Sequence, residues 1–197
     1  MVSSKPEVRE DPRVRGFLFV AAMVAVMWVV EIVDVFAGDL DSAGIKPRDP
    51  EGLIGIGLAP VLHGGFGHLI WNTVPFLVLG GVIALSGLAR VAAVTLIVAV
   101  VGGLGTWLVA PENTVHIGAS GLVFGFAAYL IARGIFSRRA LHLVAGVVVL
   151  FIYGGTLVFG LVPTPGISWQ GHLFGAVGGL VAAWWLDRRA ASSAPAL

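Results

Sequence analysis

The stretch Gly118 to Arg133 reads Gly-Ala-Ser-Gly-Leu-Val-Phe-Gly-Phe-Ala-Ala-Tyr-Leu-Ile-Ala-Arg. Apart from Ser120 near its start and Tyr129, it is apolar until Arg133. Working outward, similar runs lie at 16–36, 65–85 and 90–109 before it, and at 140–162 and 167–186 after it. Breakers separate them: a Gly-, Pro- and Asp-rich loop at 37–60, Ser86-Gly87, Pro111-Glu112-Asn113-Thr114 and Pro163-Thr164-Pro165-Gly166. Of 197 residues, 57% are hydrophobic and 12% charged, and mean hydropathy is +0.96. One soluble core cannot hide that much apolar surface, and most of these runs can cross a hydrocarbon layer of roughly 30 Å. The reading is an all-α polytopic membrane protein with six transmembrane helices. Residues 16–187 form one membrane domain, between an N-terminal tail at 1–15 and a short tail at 188–197. The first run lacks a small-residue cleavage site after it and is expected to remain as a membrane helix.

The basic residues set the orientation. Ten of the twelve Lys and Arg residues fall on the side shared by both termini, and only Lys46 and Arg48 fall on the other. The positive-inside rule makes both termini cytoplasmic and turns the loops at 37–60, 110–119 and 163–166 outward. Cysteine is absent, which removes disulfides and a thiolate nucleophile. A net charge of +1 without a basic, aromatic-studded surface gives no nucleic-acid partner.

Polar groups inside spans are costly and mark function. Four stand out: His68 and Asn72 in the second span, Ser120 opening the fourth, and His172 in the sixth. All lie toward the outer ends. The fourth span, read as 119–133, is short, roughly 20–23 Å at helical rise, so Ser120 is expected below the outer surface in a wet pocket. His172 is expected five residues into its helix. Glu31 and Asp34 are read as interfacial, and Arg133 as a marker of the cytoplasmic interface. A serine needs a base to take its proton, and an imidazole is the usual one. No acid is placed to orient His172, which favours a dyad over a triad. His68 and Asn72, at i and i+4, share a helix face and can both donate hydrogen bonds to an oxyanion.

At this point the residues match a family. His63-Gly64-Gly65-Phe66-Gly67-His68, followed by Asn72, resembles the second-helix motif of rhomboid proteases. Gly118-Ala119-Ser120-Gly121 resembles the family's nucleophile motif, and Gly171-His172-Leu173-Phe174-Gly175 with Gly179 its sixth-helix motif. All three occur in order, over about 16–187. The resemblance implies a rhomboid-like six-helix bundle and a cofactor-independent, metal-free serine endopeptidase cutting transmembrane proteins near the outer face. It makes Ser120 the nucleophile and His172 the general base, with His68 and Asn72 in the oxyanion hole and His63 and Gly118 in support. Phe124 stands where many members carry a tyrosine against the imidazole, and loop 37–60 lacks the family's Trp-Arg pair. Gly121 with Gly125, and Gly175 with Gly179, are small-xxx-small pairs that let the fourth and sixth helices approach. His116 is read as a loop residue that could touch substrate.

Other classes compete. A small transporter would need a polar path across the membrane, but the polar groups sit in the outer half and no inverted repeat is visible. The His-Glu-x-x-His helix of a metalloprotease is missing, although four of the five histidines could gather near the outer face, so their count leaves zinc open. An aspartyl protease needs two buried acids in facing helices, and none are found. The runner-up is an inactive rhomboid-like binding factor, against which stands the presence of both Ser120 and His172. Expected partners are transmembrane substrates and the lipid bilayer, with oligomeric state left open. Composition points weakly to a bacterial plasma membrane.

Overall fold

A computed structural model describes residues 11–192, with side chains through residue 188. Lys5, Arg9, the side chain of Arg189 and residues 193–197, to which the orientation and the tails were assigned, lie outside it. The first helix, α1 (Pro12–Ala37), starts where Asp11 accepts a hydrogen bond from the Arg13 amide at 2.8 Å and Pro12 supplies the first helical position. Loop 38–65 holds a four-residue helix, α2 (Gly55–Leu58), between 3₁₀ turns. Then follow α3 (Phe66–Ala84), α4 (Leu88–Val109), α5 (Ser120–Ser137), α6 (Ala140–Phe159) and α7 (Trp169–Ser192). Among the described residues there is no strand, only one isolated bridge between Ile45 and His116. By length and composition α1, α3, α4, α5 and α6 can each cross a membrane. The sixth run is α7, 24 residues long and more polar because it carries Gln170 and His172 in its first turn and Asp187, Arg188 and Arg189 near its end.

The bundle is built around α5, which is buried along most of its length and packs on α3, α4, α6 and above all α7. Buried side chains such as Phe76, Leu79, Val94, Phe126 and Leu130 fill the space between helices. Apolar side chains on α6 such as Leu141 and Phe151, and Trp71 on α3, point away from it. Outward apolar surface of this extent suits lipid, where each helix satisfies its own backbone.

Glycine sets the spacing of α5 and α7. A Cβ at Gly175 would run into the Gly121 carbonyl oxygen, and one at Gly179 into that of Gly125. Gly102 on α4 lets α7 approach from the other side, its would-be Cβ 3.2 Å from the Gly175 Cα. In lipid such contacts take over the role that hydrophobic burial plays in water.

Two expectations are corrected. The α5 helix does not stop at Arg133: it runs 18 residues to Ser137, about 27 Å at helical rise. Arg133 is buried, its Nε 3.3 Å from Asp187 and its NH1 donating to Ser86 at 2.9 Å. Asp187 also meets Arg90 at 3.4 Å and accepts from the Tyr129 hydroxyl at 3.0 Å. With its charge balanced inside the bundle, Arg133 no longer needs water and the helix continues past it. The depth of Ser120 therefore cannot rest on a short helix. His172 is the fourth residue of α7, not five residues in, because the helix begins at Trp169. Glu31, at the outer end of α1, is 2% exposed.

Two substitutions test this packing. Asp187→Ala leaves two arginines without their carboxylate and is expected to cost about 3–5 kcal/mol, read as a large fall in the thermal unfolding midpoint in detergent. Gly179→Ala is expected to destabilise as well. Gly67→Ala, whose Cβ would meet nothing within 4 Å, should hold or raise the midpoint, since alanine in a helix is worth about 1 kcal/mol over glycine.

Candidate active site

The turn before α5 is tied down residue by residue. His116 and Ile45 exchange both backbone hydrogen bonds at 3.0 Å, Gly118 N–H donates to the Ala59 carbonyl at 2.8 Å, and Ala119 N–H donates to His63 Nε2 at 3.4 Å. Gly118 has φ of 106°, a conformation L side chains rarely adopt, and a Cβ there would lie 2.6 Å from the His68 ring. Only glycine serves at 118. The turn delivers Ser120 as the first residue of α5, where its backbone N–H has no carbonyl within the helix to bond.

His172 faces it from α7. Its Nε2 lies 2.9 Å from Ser120 Oγ, and its Nδ1 lies 2.8 Å from the Gly160 carbonyl oxygen. A carbonyl can only accept, so Nδ1 carries the hydrogen. Nε2 is then bare and accepts the Ser120 hydroxyl, the tautomer a general base needs. The sequence offered no acid for this task, and a backbone carbonyl fills the orienting position. Phe124 stacks on the imidazole, centroids 4.0 Å apart and planes 7° from parallel, fixing the ring from the side.

His68 and Asn72 come up behind Gly118. The Asn72 side-chain nitrogen donates to the His68 carbonyl at 3.1 Å and lies 3.7 Å from the position of a Gly118 Cβ. An amide nitrogen has two hydrogens, so one is committed to the helix. His63, 1% exposed, stacks edge-on to His68 at 5.1 Å. Burial first, and then the neighbouring His68, pull its pKa from 6.5 to about 4, so it stays neutral as an acceptor for Ala119. Gly121, Gly125, Gly175 and Gly179 lie in the α5–α7 seam described above rather than at the reacting atoms.

A cleft of about 620 Å³ opens over the pair, lined among others by His68, His116, Ser120, Ser168 and His172. Among the described residues, no three His, Asp or Glu side chains gather as metal ligands. Sequence reasoning missed Gly160, whose contribution is a backbone oxygen without a sequence signal. It also missed Ser168, although a serine before an apolar helix is a recognisable N-cap. Loop 37–60, without the Trp-Arg pair, is pinned instead by Arg48, which donates to Glu112 at 2.8 Å and to the Leu108 and Ala110 carbonyls at 3.0 and 2.9 Å.

A serine and an imidazole joined across two central helices of an apolar bundle define a candidate serine-hydrolase site in a membrane protein. The Rhomboid domain model matches residues 50–189. An uncharacterized protein of Mycobacterium tuberculosis (strain ATCC 25618 / H37Rv) is 46% identical over 192 residues, covering 92% of this chain and 80% of that protein. One of Mycobacterium leprae (strain TN) is 43% identical over 196 residues, covering 93% and 77%. A Bacillus subtilis (strain 168) protein named "Putative rhomboid protease YdcA" is 27% identical over 122 residues, 61% of each chain. The chain belongs to the rhomboid family and is an integral membrane protein.

The buried neutral His63 sets a pH dependence. Its folded pKa lies below its unfolded one, so the stability it contributes is present above about 6.5 and is lost as pH falls toward about 4. Unfolding midpoints in detergent should therefore drop on acidification through that window, and His63→Gln should make the drop shallower.

Proposed function

We propose that the chain is an intramembrane serine endopeptidase that cleaves transmembrane protein substrates near the outer membrane face. The observation that carries this reading is the 2.9 Å bond from Ser120 Oγ to a His172 whose tautomer is held by the Gly160 carbonyl. In the proposed reaction Ser120 Oγ attacks the scissile carbonyl carbon while its proton passes to His172 Nε2. The carbonyl π pair moves onto oxygen, which the Ser120 backbone N–H, His68 and Asn72 stabilise by hydrogen bonding. His172 then gives the proton to the departing amine, the C–N bond breaks and an acyl-enzyme remains. Water, deprotonated by the same Nε2, releases the acid and restores Ser120. Nδ1–H to Gly160 is kept throughout, so the imidazolium is stabilised by the carbonyl dipole.

The same reading makes α7 the sixth span, turns both termini to the cytoplasm and places the chain in a bacterial plasma membrane. It makes 16–187 the membrane domain, Phe124 the stacking support of the base, and His63 with Gly118 the support of the nucleophile turn. Substrate enters locally unwound, with small side chains favoured at the cut.

The experiment is cleavage of a transmembrane reporter by purified protein in liposomes. His172→Ala should lose about 10²–10⁴-fold in rate, with Ser120→Ala inactive. His68→Ala or Asn72→Ala should each lose about 10²–10³-fold, and EDTA should change nothing. Cleavage persisting in both Ser120→Ala and His172→Ala would sink the dyad. A folded wild type that binds the reporter without cutting it would favour an inactive binding factor.

A further inference from the structure

A second serine–histidine contact lies beside the first, and it does a different task. His116 Nδ1 is 2.7 Å from Ser168 Oγ, and His116 Nε2 is 2.8 Å from Thr114 Oγ1. Donor accounting orders the chain. Thr114 Oγ1 gives its hydrogen to the Pro111 carbonyl at 2.6 Å, so it must accept from His116 Nε2–H. Nδ1 is then bare and must accept the Ser168 hydroxyl. The oxygen of that hydroxyl in turn accepts the Gly171 N–H at 3.2 Å, and the Ser168 carbonyl accepts the His172 N–H at 3.1 Å. Ser168 is therefore the N-cap of α7 and the tie between α7 and the loop that leads into α5.

The placement matters because of what lies four residues on. His116 precedes Ser120 by four positions and Ser168 precedes His172 by four. The two contacts are rungs between the same two segments, and the outer one has a rigid post: both backbone groups of His116 are bonded to Ile45. The segment that approaches Ser168, residues 161–167, is by contrast exposed throughout.

We infer that His116 and Ser168 are positioning residues, a clasp that sets the first turn of α7 against the nucleophile turn and so holds His172 in hydrogen-bond register with Ser120. The inference rests on the proposed proteolytic reading for its catalytic consequence. The clasp touches neither proton nor carbonyl of the reaction. It acts through the dyad geometry, where a displacement of about 1 Å is enough to cost about 10²-fold in rate.

The test pairs kinetics with hydrogen exchange on the full-length protein in detergent. Ser168→Ala removes clasp and cap together, whereas His116→Phe removes the clasp and leaves the cap. Each should lower kcat on the transmembrane reporter roughly 10–100-fold with KM nearly unchanged. The double variant should be no slower than the worse single one, and Ser168→Thr should restore most of the rate. Amide exchange should rise at 168–172 in His116→Phe and at 114–118 in Ser168→Ala, the reciprocal effect a clasp demands. If His116→Phe does not fold, Thr114→Val carries the kinetic arm, with a fall in kcat expected. Wild-type kcat in His116→Phe or Thr114→Val, or losses that multiply in the double variant, would overturn the clasp while leaving the proteolytic reading intact. If the wild type itself cuts no reporter, that reading fails and the exchange measurements alone decide the clasp: reciprocal increases uphold it, and unchanged exchange across the gap overturns it.

Discussion

The close approach of α5 and α7 is the constraint on which the rest of the molecule depends. At Gly175 and Gly179 even a methyl group would meet the carbonyl oxygens of α5, so the two backbones touch where most helix pairs are separated by side chains. Ser120 opens one of these helices and His172 lies in the first turn of the other. Their 2.9 Å contact is thus a consequence of the seam, because neither a serine nor an imidazole is long enough to bridge a wider gap. At the opposite end the same helices are joined by Asp187 with Arg133 and Tyr129. The pair is held from both directions: by small residues beside it and by a buried ionic group near the far end.

Orientation of His172 needs no third side chain. A carboxylate brings a full charge into a low-dielectric bundle at a desolvation cost of several kcal/mol. The Gly160 carbonyl fixes the same tautomer with a dipole, and stacking on Phe124 restrains the ring. The absence of a hydroxyl at 124 does not disturb this, since the ring face is the surface that meets the imidazole.

What could be read from the sequence was whatever depends on side-chain type and spacing. Apolar runs gave the long helices, and breakers gave their limits to within a few residues except at the charged ends of α5 and α7, because lipid demands both length and apolarity. The glycine pairs and the polar residues opposed to an apolar background marked Ser120, His172, His68 and Asn72. Backbone contributions and long-range ion pairing were hidden. Gly160 acts through its carbonyl, which every residue has. Arg133 reads as the end of its helix because the carboxylate that balances it, Asp187, lies 54 positions away. That error shortened α5 and gave a depth argument for Ser120 that the structure does not support.

The central claim is that Ser120 is a nucleophile activated by His172. The most direct measurement is covalent capture: wild-type protein in detergent is treated with a fluorophosphonate, and the adduct is mapped by mass spectrometry. The account predicts a single adduct at Ser120, lost in His172→Ala although Ser120 remains. An adduct elsewhere, or equal labelling of Ser120 with and without the imidazole, would contradict it.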